Sequence, residues 1–385
     1  MALGDLCVLI LAAAHASASE CGCASSRAGV TPFGAAAAEG SCTAPAPSSG
    51  ARAATASESR VPLRVIRLPL GRARLGTDKP HFPEDAESPE REWSLTRALW
   101  ADAFEVSNAR FAAFVEETGF KSEAHEFGWS FVHELAVPES VRDGISTMVK
   151  GAEWWLPVPN ASWRFPEGLA GEDALNSRAD HPAVHVSKRD GDAFCKWAAG
   201  RLPKESEWEY AARAGRRGEL YPWGNQLTTN KTWRANTWQG TFPKNNSGAD
   251  GYLWTSPVDA LGPQNAWGFY NMIGNAWEWT SDRWCPPPGS RRTAPPDCKR
   301  RMPADIAKEA ADPGEINFVK KGGSFMCHKS YCYRYRSAAR HFNSANSGAL
   351  NLGFRCFYDA LPAWAEEHVP ADTGTAAPTR SGEEA

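Results

Sequence analysis

The sequence predicts an α+β fold that is rich in loops, and three observations carry that reading. Its 385 residues are 42% hydrophobic, enough for a sizeable core in one large domain or two small ones. Those core-formers are unusually aromatic, with 17 Trp and 17 Phe, while 33 Gly and 28 Pro interrupt long elements. Capped helical patterns occur between residues 107 and 215, and turn-rich sequence with short aromatic strands follows.

In chain order, the first element is an apolar run, LCVLILAAA (Leu6 to Ala14), too short to span a bilayer. Ala16-Ser17-Ala18 gives it a small-residue cleavage pattern, so residues 1–18 are expected to be a cleaved signal peptide, despite an n-region without Lys or Arg. No later stretch approaches membrane-spanning length. The ten cysteines are then expected in an oxidising compartment. A net charge of −3 gives no basic excess of the kind a nucleic-acid surface shows.

Residues 19–60 are Ala-, Ser- and Gly-rich and lack the large apolar side chains that offset chain entropy, which predicts disorder. Cys21 and Cys23 lie inside this tail, too close together to staple a core, and suit thiol exchange. Residues 61–360 read as globular. SNARFAAFVEETG is a helix capped by Ser107, with Phe111, Phe114 and Val115 on one face and Gly119 at its end. HPAVHVS alternates and predicts a short strand. SKRDGDAFCKWAAG opens on Ser187 and Asp190 and closes on Gly200, and KESEWEYAARAG is a third helix. The end, 361–385, is predicted to be a mobile tail. Sequons at Asn160, Asn230 and Asn245 require surface exposure if they carry glycans.

Two turn-rich segments offer hard oxygen ligands of the kind Ca2+ takes. One is NMIGNAWEW, with Asn271, Gly274 and Glu278, and the other holds Asn236 and Asp250. Neither has EF-hand spacing, and from spacing alone polar turns that cap their own backbone explain the residues better. His181 and His185 would share a strand face but stand about 13 Å apart along it, too far to share an ion. Cys327 and Cys332, in GGSFMCHKSYCYRYRSAAR, admit a local disulfide, a soft-metal site or a reactive pair. Two thiolates without a His-rich tract favour Cu(I) over Cu(II), and zinc would want four ligands. Arg334, Arg336 and Arg340 offer charge that would favour thiolate.

The same segment, extended to Cys356, closely resembles the active-site segment of the formylglycine-generating enzyme family, the sulfatase-modifying factors. DAFEVSN, WWLPV, WRFPEG, DHPAVHVS, RLPKESEWEYAAR, YPWGN and GNAWEWTSD resemble family phrases in the family's order across residues 61–360. The resemblance implies a compact single domain distantly related to C-type lectins, low in regular structure and stabilised by two Ca2+ ions. It implies a copper-dependent oxidase of the secretory pathway. With O2, such an enzyme converts the cysteine of a Cys-x-Pro-x-Arg sequence in newly made sulfatases to Cα-formylglycine. Cys327 and Cys332 would hold Cu(I), Ser324 would help position O2, and Trp277 would line the pocket. The calcium ligands would be Asn236, Thr237, Asp250 and Tyr252 for one ion, and Asn271, Met272, Gly274, Ala276 and Glu278 for the other. Cys21 and Cys23 match a pair that retains family members in the endoplasmic reticulum through mixed disulfides with a thiol oxidoreductase.

The resemblance also implies a Cys195–Cys356 disulfide. A second family bridge would need cysteines where this chain has Ala212 and Ser337. Cys285 and Cys298 bracket a Pro-rich insertion and are expected to pair, leaving Cys42 as the odd thiol. Lys329 stands where many relatives have Arg. Two other classes compete with the oxidase, an inactive paralogue that binds or regulates sulfatases and a lectin-like binding module. The family's inactive paralogue lacks the two active-site cysteines that this chain keeps.

Overall fold

The computed structural model describes residues 63–285 and 316–368. It begins with β1 (Val65–Arg67), the hairpin of β2 (Gly71–Leu75) and β3 (Arg91–Leu95), and β4 (Trp100–Asp102). Next come α1 (Asn108–Thr118), α2 (Glu123–Phe127), β5 (Trp129–His133), α3 (Glu139–Arg142), β6 (Trp155–Pro159) and α4 (Ala174–Ser177). The two helices α5 (Lys188–Trp197) and α6 (Glu205–Arg213) precede the small hairpins β7 (Thr228–Thr229) with β8 (Thr232–Trp233) and β9 (Gly240–Thr241) with β10 (Asn245–Asn246). The strands β11 (Trp277–Arg283), β12 (Asn317–Lys321), β13 (His341–Ser344), β14 (Leu352–Gly353) and β15 (Phe357–Tyr358) follow.

β4 lies between β1 and β15, so the two ends of the domain close on one three-stranded sheet. The largest sheet has the order β13-β12-β11-β14, with β14 parallel to β11. The core is as aromatic as the composition predicts, with Trp155, Trp208, Trp238, Trp277 and Trp279 fully buried. The mixture of helix and strand agrees with the α+β expectation. Among the described residues, no helix is long and apolar enough to cross a membrane.

The three predicted helices form where their local signals put them. Ser107 Oγ accepts the Arg110 N–H at 3.3 Å, and Gly119 ends α1 at φ 65°. Phe111 and Phe114 of α1 pack on Phe194 of α5. α5 carries a full capping box between Ser187 and Asp190. The Asp190 carboxylate also accepts the Glu123 N–H at the start of α2. α6 is buried almost throughout, and its charges are paired: Arg213 Nε donates to Glu209 at 2.8 Å and Arg340 Nε to Glu205 at 2.7 Å.

Burial, followed by the neighbouring Glu123 charge, pushes the Asp190 carboxyl up to about 7. The sign follows from linkage. The folded state holds a proton that the unfolded chain, with an ordinary aspartate, gives up near pH 4, so this group's contribution to stability is lost as pH rises from about 4 through about 7. Melting profiles between pH 4.5 and 8 should therefore slope less steeply downward in Asp190→Asn than in the parent. Equal slopes would contradict the assignment.

Three expectations need correction. HPAVHVS is not a strand: only an isolated bridge, Ser107 to Pro182, forms there, because His185 takes φ 60°. Its ring instead reaches Ser130 Oγ and the Pro166 carbonyl, both at 2.9 Å. α5 ends at Trp197 with Ala198 and Ala199 in the exit turn, before Gly200. The domain also runs past 360: Trp364 packs on Tyr358 at 5.6 Å and Ala365 is fully buried.

Cys195 of α5 is bonded to Cys356, the residue before β15, with Cα atoms 5.4 Å apart. Cys285 is disulfide-bonded as well. Its expected partner Cys298, together with Cys21, Cys23, Cys42, the signal peptide and residues 19–60, lies outside the described residues.

Candidate active site around Cys327 and Cys332

The loop joining β12 to β13 starts with two glycines that no other residue could replace without movement. Gly322 (φ 93°) brings its Cα so close to β11's approach that a Cβ would lie 2.8 Å from the Met272 carbonyl oxygen. Gly323 (φ 72°) would meet the Tyr335 backbone at 2.9 Å. Phe325 then donates to the Asn275 carbonyl at 2.8 Å. Turn bonds from Cys327 N to Ser324 O (2.9 Å) and from Cys332 N to His328 O (2.7 Å) fold the loop back on itself.

That folding brings Cys327 Sγ and Cys332 Sγ to 2.7 Å, beyond the roughly 2.05 Å of a disulfide, and both residues are only 1% exposed. Ser324 Oγ lies 4.0 Å from Cys327 Sγ. It accepts from Asn351 Nδ2 at 2.9 Å and from Met326 N at 3.3 Å. Trp277 is buried at the head of β11, and its backbone N–H donates to the Asn351 carbonyl at 2.8 Å. Asn351 thus ties Trp277 to Ser324.

Aromatic rings surround the pair. Burial, followed by the neighbouring Cys327, Tyr333 and Cys332, raises the Tyr335 hydroxyl. On the side of Tyr331, the residue before Cys332, the half-buried rings of Trp154, Phe242 and Tyr331 form a wall, with Phe242 and Tyr331 stacked at 4.2 Å. The arginines expected to favour thiolate have other partners. Arg334 pairs with Asp85 at 2.5 Å, Arg336 with Glu87 at 2.5 Å and Arg340 with Glu205 at 2.7 Å. Their charge is compensated by buried carboxylates, so they serve the loop's conformation.

The two oxygen-rich segments lie side by side, joined by Asn275. Its backbone N–H donates to the Asn236 carbonyl, and its Nδ2 donates to Glu105 Oε2 at 2.9 Å. In the first group, Asp250 accepts from Thr237 N, Tyr252 N and Gln239 Nε2, and burial raises its carboxyl. Gln239 Nε2 also donates to the Thr237 carbonyl. Asn236 Oδ1 is buried with no hydrogen-bond partner. In the second group, Glu278 is bound by Arg355 at 2.6 Å and by Trp208 Nε1 at 2.7 Å. Glu105 faces the same centre, and burial with the Glu278 charge pushes its carboxyl up to about 8. Asn271 Oδ1 there is also buried without a partner. Among the described residues, no three His, Cys, Asp or Glu side chains gather as a metal cluster. His181 and His185 go to different partners, Thr255 and Ser130. The three sequon asparagines, Asn160, Asn230 and Asn245, are exposed.

Glu105, Asn275 and Asn351 escaped the reading of the sequence. Their partners stand 19 to 171 residues away, so no local spacing announces them. The one signal was local: Glu105 is an acidic residue between apolar neighbours, Phe104 and Val106.

Residues 51–360 match the model of the sulfatase-modifying factor enzyme 1-like domain. The chain is 47% identical over 301 residues to the formylglycine-generating enzyme of Bos taurus, covering 78% of this chain and 76% of that protein. It is less similar, at 38% over 296 residues, to the inactive C-alpha-formylglycine-generating enzyme 2 of Bos taurus, covering 76% of this chain and 87% of that protein. Among solved structures, PvdO from Pseudomonas aeruginosa shares the fold at a TM-score of 0.50 and 21% identity, over 76% of this chain and 93% of that one.

Proposed function

The chain belongs to the sulfatase-modifying factor family, and from that premise we propose that it is a formylglycine-generating oxidase. It takes the cysteine of a Cys-x-Pro-x-Arg segment in a newly made sulfatase and, with O2 and a two-electron thiol reductant, leaves Cα-formylglycine: one oxygen atom enters the aldehyde, the sulfur leaves as sulfide, and the other oxygen atom is reduced to water. The observation that carries this reading is the buried sulfur pair, 2.7 Å apart, beside a serine hydroxyl.

Cys327 and Cys332 fit Cu(I), because a soft d10 ion prefers thiolate and the pair offers two sulfurs in a water-poor pocket. Copper bound there would supply a site at which the substrate thiolate and O2 meet. Both cysteines must give up their protons to serve. Ser324 already accepts two hydrogen bonds, so its own O–H is left to donate, and Cys327 Sγ lies 4.0 Å away. A hydroxyl so placed beside the sulfur pair supports a role for Ser324 in positioning O2. Trp277 and Asn351 hold that hydroxyl in place. The wall of Trp154, Phe242 and Tyr331 suits the proline of an extended substrate segment.

Two structural Ca2+ ions belong to the same reading. Two orphaned amide oxygens, Asn236 Oδ1 and Asn271 Oδ1, and carboxyls of Asp250 and Glu105 held unfavourably by burial, support hard cations at these groups. The first set is Asn236, Thr237, Asp250 and Tyr252. The second adds Glu105 to Asn271, Met272, Gly274, Ala276 and Glu278. Chelation should lower the melting temperature, since an ion that binds only the folded state stabilises it by mass action. In Glu105→Gln the calcium-dependent rise should shrink sharply. A melting temperature indifferent to chelator and added Ca2+ would remove the proposal.

The expected signal peptide and the Cys21/Cys23 pair support residence in the endoplasmic reticulum lumen, with a thiol oxidoreductase as partner. A regulatory, inactive protein is the second reading. The deciding experiment is to load the protein with Cu(I), add a Cys-x-Pro-x-Arg peptide and a thiol reductant under air, and look for the aldehyde by mass spectrometry. Copper uptake and peptide binding without aldehyde would decide for the second reading.

A further inference from the structure

We propose that the β2–β3 loop, at residues 81–87, is a strap that positions Cys332, with Asp85 and Glu87 as its anchoring residues. The proposal rests on Cys327 and Cys332 acting as one pair. Asp85 and Glu87 are carboxylates only 3% and 1% exposed, and their partners lie 249 residues further along the chain. Arg334 Nε reaches Asp85 at 2.5 Å, and Arg336 grips Glu87 with both terminal nitrogens, at 2.9 and 2.5 Å. The Phe82 ring lies 3.9 Å from the Arg334 guanidinium. Because Arg334 N also donates to the Cys332 carbonyl at 2.7 Å, displacing Arg334 displaces Cys332.

Asp85 has a second contact. His341 Nδ1 stands 3.5 Å from its other oxygen, and the His341 ring lies 6.4 Å from that of Trp277. One carboxylate therefore links the flank of Cys332 to the neighbour of Trp277. Buried ion pairs add little net stability against apolar replacements, whereas a planar guanidinium fork fixes direction. Two such pairs beside one loop are better explained by geometry than by stability. Groups that orient metal ligands from outside typically contribute 10–100-fold in affinity.

The test compares Asp85→Asn, Glu87→Gln and the milder Phe82→Leu with Glu167→Gln, which loses a bidentate pair to Arg178 elsewhere. Cu(I) affinity is read by competition with a chromophoric chelator. On the metal-free protein, alkylation rates of Cys327 and Cys332 are read separately by peptide mass spectrometry. The strap variants should lose about 10–100-fold in Cu(I) affinity and change the ratio of the two alkylation rates, while Glu167→Gln changes neither. Phe82→Leu keeps both ion pairs and reads the same quantities should the charge variants fail to fold. If all the strap variants that fold match Glu167→Gln in both measurements, the strap is structural only and the proposal falls. Should the parent protein bind no copper, the functional reading fails, but the alkylation ratio still decides for or against the strap.

Discussion

Replacing Cys327 or Cys332 by serine, one at a time, should reduce formylglycine formation on the order of 1,000-fold or more, the scale seen when one member of a cooperating catalytic set is lost. Cu(I) affinity should collapse with it, because a hydroxyl oxygen is a poor ligand for a soft ion. Folding should survive. The loop is held by glycine turns, backbone bonds and two arginine–carboxylate pairs, none of which uses a sulfur. The cost should stay near about 1 kcal/mol, ordinary for a conservative change. Copper titration, peptide turnover and melting curves on the two variants check this together. Near-normal turnover in either variant would end the two-thiolate reading, and loss of folding in both would favour a structural staple.

Removing the Cys195–Cys356 bridge should produce the largest change in stability. The two cysteines are 161 residues apart, and a loop of that size corresponds to roughly 5 kcal/mol in the chain-entropy model. Typical domains have about 5–15 kcal/mol in total, so a Cys195→Ala, Cys356→Ala double variant should be marginal at 37 °C. Replacing both avoids leaving a lone buried thiol. Denaturant titration of the double variant should show a midpoint far below the parent's. A midpoint within error of the parent's would mean that packing of α5 on the segment before β15, such as Phe194 on Phe354, closes the domain without the bond.

Much of the helical structure was legible because its causes are local. Ser107, Gly119 and the Ser187–Asp190 box act within four residues of themselves or of the helix end. HPAVHVS misled for the opposite reason. Its alternation is real, but His185 is turned to φ 60° by a ring held between Ser130 and Pro166, and Gly348 leaves room for its carbonyl. The site divides the same way. The cysteines, five residues apart, could be found in one phrase, whereas Asp85 and Glu87 answer to arginines on the far side of the chain. In sequence those arginines looked like activators of the thiols. Only their buried partners show that their charge is already used.

The long span of the Cys195–Cys356 bridge has a consequence for biosynthesis. A ribosome delivering roughly 5–20 residues per second needs on the order of 10–30 s to make the 161 residues between the two halves of the bond. During that interval Cys285, Cys298, Cys327 and Cys332 all emerge before Cys356 does. β4, too, waits for β15 before its sheet is complete. The nearest available mates for a nascent Cys195 are therefore the wrong ones, including the pair assigned to chemistry. In the oxidising compartment proposed for it, any early bond to one of these would have to be undone by exchange before the native one forms. On the proposed residence in the lumen, the protein's own maturation would draw on the same thiol exchange that surrounds its substrates.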